Sequence, residues 1–390
     1  MFAVVHDEVP SSFTRKPTLA LQEFNGEDLT PSVQVYLPHN LRPREFLRLF
    51  TSSTSTFKPA FTFPALQNWF SKLNQNLKLQ DHEDHPFHKH PYRLREIEIQ
   101  AVDWFWRNKP GKEDKLGFMK IQAKIETDPY LHDGEESERA DWLPGAVFLR
   151  GGSVAMLIIL QPEDAKGDQE KYVILTIQPR IAAGSLAFTE IPAGMLDGNT
   201  FQGTAATEIE EEAGLKVKES DLINLTELAL EDIPVSPWKT EESTTQTDSH
   251  STVEEEEKDD DDDDDDKDSE DQSFTTTTSA KPATESTENG IYPSPGACDE
   301  FIPLFLCQKR LTRKHVGWLK GKATGLRDEG ENITLRLVPL DKAWRYVGRD
   351  AKALAALTLY ENLKKEGRID DMPQEVEDEP DELRESNSDN

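Results

Sequence analysis

The residues best suited to chemistry stand between positions 190 and 215, where a glycine-bearing loop runs into a short helix rich in glutamate. Glu208, Glu211 and Glu212 are spaced at i, i+3 and i+4, which places their carboxylates on one helix face. They crowd the helix end where the dipole is already negative, and no Lys or Arg stands three or four residues upstream to pair with them. We therefore expect a cation to relieve the repulsion.

The ligand types indicate which cation this would be. The segment contains neither His nor Cys, so only oxygen ligands are on offer. Oxygen ligands favour Mg2+, with Mn2+ as the alternative, and such an ion completes its shell with water and substrate phosphates. A solvated acidic helix end that binds nothing would explain the glutamates equally well. The preceding loop distinguishes the two interpretations.

Loop and helix together resemble the Nudix box, G-x5-E-x7-R-E-U-x-E-E-x-G-U, where U is aliphatic. The matching residues are Gly194, Glu208, Ile209, Glu211, Glu212, Gly214 and Leu215. The segment is one residue shorter than the pattern, lacks its early glutamate and has Thr207 in place of its arginine. The chain is most similar to the ADP-sugar pyrophosphatase branch of the family, over most of residues 95–368. Further motifs support this at 143–152, 178–180, 190–194, 292–300 and 325–333.

This resemblance implies an α+β Nudix fold, in which a mixed β-sheet is sandwiched between helices, with an N-terminal β-hairpin or sheet extension. It also implies Mg2+-dependent hydrolysis of ADP-ribose or ADP-glucose to AMP and a sugar phosphate. Glu208 and Glu212 would hold the metal together with a loop carbonyl near Ala193 or Gly194. Glu211 would be a further ligand or a group that orients the attacking water.

The resemblance implies roles for residues outside the box as well. The candidate substrate contacts are Arg180, Trp104, Trp106, Glu190, Gly194 and Glu300. Arg180 would contact a phosphate or the terminal ribose, one of the tryptophans would stack on the adenine, and Glu300 would be an outer carboxylate. A loop at 324–332 would carry the glutamate that activates water, with Glu329 as first choice and Glu331 as second. A buried tryptophan, a surface arginine and a solvated glutamate are the structural alternatives.

Two other functions stay open. Because Thr207 offers only a short neutral hydroxyl where the family has an arginine, the chain is alternatively a Nudix-derived binding or scaffold protein with little catalysis. A third hypothesis makes the acidic segments the functional part, as electrostatic partners for basic chains. Nucleic acid is not expected as a ligand, since the sequence shows no basic face or stripe.

The formal net charge of −31 is unevenly distributed. Residues 239–290 carry a net charge of −16 and residues 370–390 a net charge of −9, so the remainder resembles an ordinary enzyme. Eight consecutive aspartates at 259–266 repel one another and cannot bury a core. We therefore predict a disordered insertion at 236–290, a solvating insert in preference to an interaction tail or calcium sink, and a disordered tail at 369–390.

The cysteine content and the lengths of the apolar runs indicate where in the cell the protein is expected. The two cysteines, Cys298 and Cys307, fit a reducing compartment better than a disulfide scaffold. No apolar run approaches the ~18 residues of a membrane span. We expect a cytoplasmic protein, while the Arg-, Ser- and Thr-rich segment 42–64 leaves an organellar leader open. The resemblance allows a homodimer.

These features predict four regions: an extension at 1–94, partly disordered, with an amphipathic helix at 64–79; a β subdomain at 95–140; the Nudix domain at 141–368; and the tail. Hydrophobic periodicity predicts strands at 95–107, 116–125, 147–160, 172–177, 222–230, 301–307 and 333–338, and helices at 200–214 and 350–366. The His-rich segment 82–90 is more simply a polar linker than a metal site, because Pro86 would break a helix there.

Overall fold

The computed structural model describes residues 18–24, 27–38, 63–107, 109–111, 114–167, 169–195, 201–231, 285, 287–325 and 332–385. Glu329, Glu331, almost all of the acidic insertion and the end of the tail therefore lie outside the described residues.

A six-stranded sheet forms the N-terminal part of the described chain. Its strands are β1 Thr18–Phe24, β2 Glu27–Tyr36, β3 Arg93–Trp106, β4 Lys115–Glu126, β5 Trp142–Leu143 and β6 Ala146–Leu149. Their order is β1-β2-β3-β4-β5, with β6 also paired to β4. The long β3–β4 hairpin confirms the two strands predicted there. β1 and β2 lie in the predicted extension and escaped prediction, because β2 pairs in parallel with a strand that comes much later in the chain.

Helix α1, Pro64–Lys78, is the predicted amphipathic helix and packs on this sheet. Its first residue, Pro64, has the fixed φ that suits a first helical turn. Leu66 and Phe70 are buried, and the ring of Phe70 lies 4.3 Å from the ring of Phe24. The sheet and α1 thereby share one hydrophobic core.

An eight-stranded mixed sheet follows. Its strands are β7 Ser153–Pro162, β8 Tyr172–Arg180, β9 Ser185–Glu190, β10 Ala193–Met195, β11 Leu222–Asn224, β12 Leu304–Leu311, β13 Ala323–Thr324 and β14 Ile333–Pro339. Their order is β11-β12-β7-β8-β14-β13, with β10 paired to β7 and β9 paired to β8. β7 and β12 run parallel, and the other described pairs are antiparallel.

Helices lie on both faces of the second sheet. They are α2 Phe201–Glu208, extended by a π-helical turn Ile209–Ala213, α3 Leu225–Leu230, α4 Arg313–Leu319, α5 Ala343–Tyr346, α6 Ala351–Lys365 and α7 Asp381–Glu385. Neighbouring residues of β7 face opposite cores: Leu157 packs in the same cluster as Ala356 of α6, and Ile158 packs with Ile209. This arrangement confirms the predicted α+β class, with a mixed sheet between helices.

Two predicted strands were wrong in extent. The segment 147–160 divides into β6 and β7 because Gly151, at a φ of 80°, redirects the chain and sends β6 to the first sheet. The segment 222–230 is the short strand β11 followed by α3. The side chain of Asn224 accepts a hydrogen bond from the backbone N–H of Glu227 and so caps that helix.

The C-terminal segment also differs from the disordered tail expected at 369–390. Residues up to 385 are placed against the second sheet, where Glu377 accepts a 2.6 Å hydrogen bond from Lys309 Nζ and the side chain of Leu383 is buried. Composition alone could not reveal this, because the basic partners lie on β12 and α4. Among the described residues, no helix is long and apolar enough to cross a membrane.

Candidate active site

The acidic helix predicted at 200–214 consists of α2 and its π-helical turn. Ala205, Ile209 and Ala213 are completely buried, so one apolar side anchors the helix to the sheet. Gly214 has a φ of 67° and ends the helix in the left-handed conformation that glycine adopts without strain. The anchored side determines which glutamates turn toward β10.

Glu212 is the most deeply buried of these glutamates, with 4% of its surface exposed. Its carboxylate oxygens accept hydrogen bonds from Gln178 Nε2 at 3.3 Å and from the backbone N–H of Ala193 at 3.0 Å. Burial, followed by the nearby charge of Glu208, raises the pKa of Glu212 to about 8. An ionised carboxylate is unfavourable at this position unless a cation compensates its charge.

Glu208 lies directly against the loop glycine. Gly194 is paired to Val154 across β10 and β7, and a β-carbon at position 194 would overlap the carboxyl group of Glu208. The glycine is therefore required for close approach of the helix. The structure thus brings Ala193, Gly194, Glu208 and Glu212 close to one another.

Glu211 lies elsewhere on the helix surface, where it lines an open cleft with Glu210 and Lys216. Its backbone carbonyl accepts a 3.3 Å hydrogen bond from the N–H of Gly325. A π-helical turn holds more residues than an α-helical turn, so the i+3 position falls short of a full turn while i+4 comes back near it. In the part of the chain that the structure describes, no three Asp, Glu, His or Cys side chains are close enough to hold a metal ion. The role of Glu211 therefore stays a prediction.

The remaining donor set is still one that a hard divalent cation would accept. Glu208 and Glu212 offer carboxylate oxygens, and Ala193, whose N–H bonds to Glu212, carries the backbone carbonyl that the family resemblance implies as a third ligand. Burial of Glu212, followed by the charges of Glu208 and Glu190, raises its pKa, and a bound cation would act in the opposite direction.

Arg180 and Glu190, both predicted substrate contacts, are bonded to each other along the β8–β9 hairpin, in which Arg180 ends β8 and Glu190 ends β9. Arg180 Nε donates a 2.6 Å hydrogen bond to Glu190 Oε1. The side chain of Glu190 is 4% exposed and that of Arg180 is 41% exposed. The guanidinium is therefore accessible to solvent while the carboxylate is buried behind it.

Glu300 lies next to the same loop. It accepts hydrogen bonds from Ser153 Oγ, at 2.9 Å, and from the guanidinium of Arg150. Ser153 is paired to Met195, the residue after Gly194, across β7 and β10. This position is compatible with the predicted outer carboxylate.

The two tryptophans stay on the β3–β4 hairpin. Arg107 lies over the ring of Trp104 at 4.9 Å, and Lys115 lies over the ring of Trp106 at 5.2 Å. Both rings are half-buried, and these cations cover part of each face. Stacking of either ring on adenine remains a prediction.

Thr207, at the arginine position of the box, bonds to its own helix. Its Oγ1 donates a 3.0 Å hydrogen bond to the carbonyl of Gly203. The hydroxyl therefore bonds to the local backbone, and no hydrogen bond joins it to Glu208 or Glu212 among the described residues.

Sequence reasoning missed three residues that shape the site. Gln178 bonds to Glu212, Lys352 bonds to Glu190, and Thr324 Oγ1 donates a 2.5 Å hydrogen bond to the carbonyl of Glu212. Gln178 could have been found, because it stands two residues before Arg180, and regular alternation along a strand predicts the same face for both. Lys352 and Thr324 come from distant elements and carry no local signal.

Comparison with known proteins identifies the family. The chain is 31% identical over 319 residues to the protein named Nudix hydrolase 14, chloroplastic, of Arabidopsis thaliana. The aligned region covers 81% of this chain and 76% of that protein. A solved structure described as an ADP compounds hydrolase covers 71% of this chain and 99% of its own, at 14% identity and a TM-score of 0.32, a likeness too weak to support a conclusion. No family model matches the chain.

The match to the Arabidopsis protein extends over most of the chain. It points to the same family as the glutamates that lie close to a loop glycine. The chain belongs to the Nudix hydrolase family and is an enzyme that hydrolyses a phosphoanhydride bond.

Proposed function

We propose that this enzyme hydrolyses ADP-ribose or ADP-glucose to AMP and a sugar phosphate, and that it depends on Mg2+. The observation that carries the proposal is the buried carboxylate of Glu212, which sits beside Glu208 and is hydrogen-bonded to the loop at Ala193. Such a group costs stability in the free protein, and a bound divalent cation would recover that cost.

In this proposal Glu208, Glu212 and the carbonyl of Ala193 hold the metal, and Glu211 is a further ligand or orients the attacking water. When bound, Mg2+ neutralises charge that develops on the bridging and leaving oxygens of the diphosphate. Gly194 lets the helix approach the loop closely enough for both carboxylates to act on one point. Gln178 keeps the carboxylate of Glu212 oriented through its hydrogen bond.

The substrate side uses residues around this point. Arg180 is half-exposed and offers a planar set of donors that suits phosphate oxygens. Glu190 and Glu300 act as outer carboxylates, and Trp104 or Trp106 stacks on the adenine. Glu329, or else Glu331, accepts the proton of the attacking water. Thr324 and Gly325, which precede those glutamates in the chain, donate hydrogen bonds to the backbone carbonyls of Glu212 and Glu211.

The test is a product assay with purified protein, Mg2+ and ADP-ribose or ADP-glucose, in which AMP is quantified chromatographically. Wild type should release AMP, and chelation with EDTA should stop the reaction. Glu212→Gln should lose at least ~100-fold in kcat, because outer-shell partners of metal ligands alone contribute ~10–100-fold. Glu210→Gln is the matched control, since Glu210 is exposed on the same turn. Absence of AMP from wild type, or equal rates for Glu212→Gln and wild type, would refute the proposal.

One observation favours the scaffold alternative. Thr207 is bonded to Gly203 and leaves the glutamates without the family's arginine. A protein that melts at a higher temperature with ADP-ribose but releases no AMP would support a ligand-binding role instead of catalysis. Thr207→Arg then distinguishes the two, because gain of hydrolysis would identify the missing arginine as the cause.

The Arabidopsis relative bears the word chloroplastic in its name, so an organellar location competes with the cytoplasmic one expected from the sequence. A fluorescent fusion to the full chain separates these locations. Sedimentation analysis tests the homodimer, and deletion of residues 240–288 tests whether the insertion has a function apart from hydrolysis.

A further inference from the structure

Four charged side chains form a continuous chain of ion pairs beside the metal-binding loop. Lys352 Nζ donates to Glu190 Oε2 at 2.5 Å and to Asp350 Oδ1 at 3.0 Å. The other oxygen of Glu190, Oε1, accepts the 2.6 Å hydrogen bond from Arg180 Nε. The order is Asp350, Lys352, Glu190, Arg180, with two negative and two positive charges.

Arg180, at the substrate side, is the most exposed of these four side chains. The side chains of Asp350 and Glu190 are each 4% exposed, that of Lys352 is 13% exposed and that of Arg180 is 41% exposed. Buried charges of this kind persist only when they are paired and hydrogen-bonded. Lys352 is the cation that both buried carboxylates share.

The same group is tied to the loop that carries the metal-binding carbonyl. Asp350 Oδ2 accepts a 3.2 Å hydrogen bond from the backbone N–H of Ile191, the residue that follows Glu190. Two residues later, the N–H of Ala193 bonds to Glu212. Asp350, the residue before α6, therefore binds the short link between β9 and β10.

The two oxygens of the Glu190 carboxylate bind different cations, Arg180 and Lys352. Arginine and carboxylate groups pair most favourably in a bidentate manner, with both oxygens bound to one guanidinium. Here Lys352 occupies Oε2, so only Oε1 and only the Nε of Arg180 are joined. The terminal nitrogens of the guanidinium are thus kept out of a second bond to Glu190 and stay accessible.

We propose that Lys352 is a positioning residue, which holds one oxygen of Glu190 and thereby keeps the guanidinium of Arg180 free for a phosphate of the substrate. This inference rests on the proposed function, in which Arg180 binds the diphosphate. Without Lys352, Glu190 gains an unpaired oxygen that competes with the substrate for Arg180, and the site becomes more negative by one charge.

The test compares Lys352→Met with wild type in steady-state hydrolysis of ADP-ribose. KM should rise about tenfold or more, equivalent to ~1.4 kcal/mol, while kcat stays within about threefold, because the lost interaction concerns binding rather than the reacting bond. Lys352→Arg should restore most of the affinity, since it returns a cation to Glu190. Lys365→Met is the matched control, as Lys365 is exposed on the same helix.

Two further variants separate positioning from simple loss of structure. Glu190→Gln should also raise KM, and Lys352→Met combined with Glu190→Gln should be no worse than the more impaired single variant, because both act through one interaction. The double variant also removes the uncompensated carboxylate, so it serves if Lys352→Met fails to fold. A decrease in kcat at unchanged KM, additive effects in the double variant, or no rescue by Lys352→Arg would overturn the inference.

Failure of the proposed function is distinguishable from failure of this inference. If wild type releases no AMP, calorimetric titration with inorganic pyrophosphate replaces the kinetic assay. Weaker pyrophosphate binding by Lys352→Met than by wild type and Lys365→Met would still support the positioning role. Equal binding by all three proteins would overturn it.

Discussion

The backbone N–H of Ala193 donates a 3.0 Å hydrogen bond to the buried carboxylate of Glu212. The loop and the end of the acidic helix are thereby joined by a bond whose acceptor is one of the proposed metal ligands. Glu212 is therefore both a hydrogen-bond acceptor for the loop and a proposed metal ligand. For this reason we expect the stability of the loop to depend on whether the carboxylate of Glu212 is charged.

Stability of the metal-free protein should fall as the pH rises. The pKa of Glu212 is about 8 in the folded protein against an ordinary value of 4.5. The folded state therefore holds this proton more tightly than the unfolded state. Its stabilising contribution is complete below about pH 4.5 and is lost as the pH rises through about 8. In EDTA at pH 9, Glu212→Gln should melt at least ~4 °C above wild type.

Magnesium should reverse this difference. Calorimetric melting of wild type at pH 9 should shift upward on addition of Mg2+, because bound cation stabilises the ionised form. Glu212→Gln should respond far less. An equal response of the two proteins to Mg2+ would contradict the assignment of Glu212 as a ligand.

Gly194→Ala should impair catalysis more than its size suggests. The added methyl group would occupy the position of the Glu208 carboxyl group and push it away from Glu212. We expect a decrease in kcat of about tenfold or more, as a displacement of ~1 Å can cost ~100-fold. Gly317→Ala is the matched control, because a β-carbon there meets no atom within 4 Å. Equal kcat values for the two variants would argue against close approach at Gly194.

His315 should make the protein sensitive to acid. It is 2% exposed, and among the described residues neither of its ring nitrogens has a hydrogen-bond partner. Burial lowers its pKa below the ordinary 6.5, opposed by Glu379 and reinforced by Lys322. The unfolded state then binds a proton more readily, so stability present above pH 6.5 is lost as the pH falls below it.

The measurement for His315 is urea unfolding at pH 7.5 and pH 5.5. His315→Phe, which can keep the ring contact with Trp318, should show a smaller loss of unfolding free energy between the two pH values than wild type. Identical losses would show that other groups dominate the acid response.

Lys309→Met should destabilise the fold through the C-terminal segment. Lys309 is almost buried and bonds to Asp221 at 2.8 Å and to Glu377 at 2.6 Å. Removal of the shared cation leaves two carboxylates uncompensated. Because both partners are about one-third exposed, the loss should be about 1–3 kcal/mol, less than for a fully buried pair. Urea titration checks this, with the exposed Lys320→Met as control, and unchanged stability would refute a structural role for the segment.

Much of the candidate site was predictable because it is local in sequence. Glu208, Glu212 and Gly194 fall within one loop and one helix, so helical spacing and one family pattern were sufficient to group them. The strands β3, β4, β8 and β14 were predictable for a similar reason, since alternating or continuous apolar runs report burial directly. For Glu211 the spacing argument assumes an α-helix, whereas the chain forms a π-helical turn at that position, so its role stays a prediction.

By itself the sequence determined the family, the acidic helix that ends at Gly214, and the apolar segments that must be buried, since each depends on near neighbours. Only the tertiary structure decided which groups surround those glutamates. Lys352 reaches Glu190 from a helix 162 positions away in the chain, and Thr324 reaches Glu212 across 112 positions. Such pairings depend on the order of the strands in the sheet and on where the helices pack against it. No local pattern of residues encodes them.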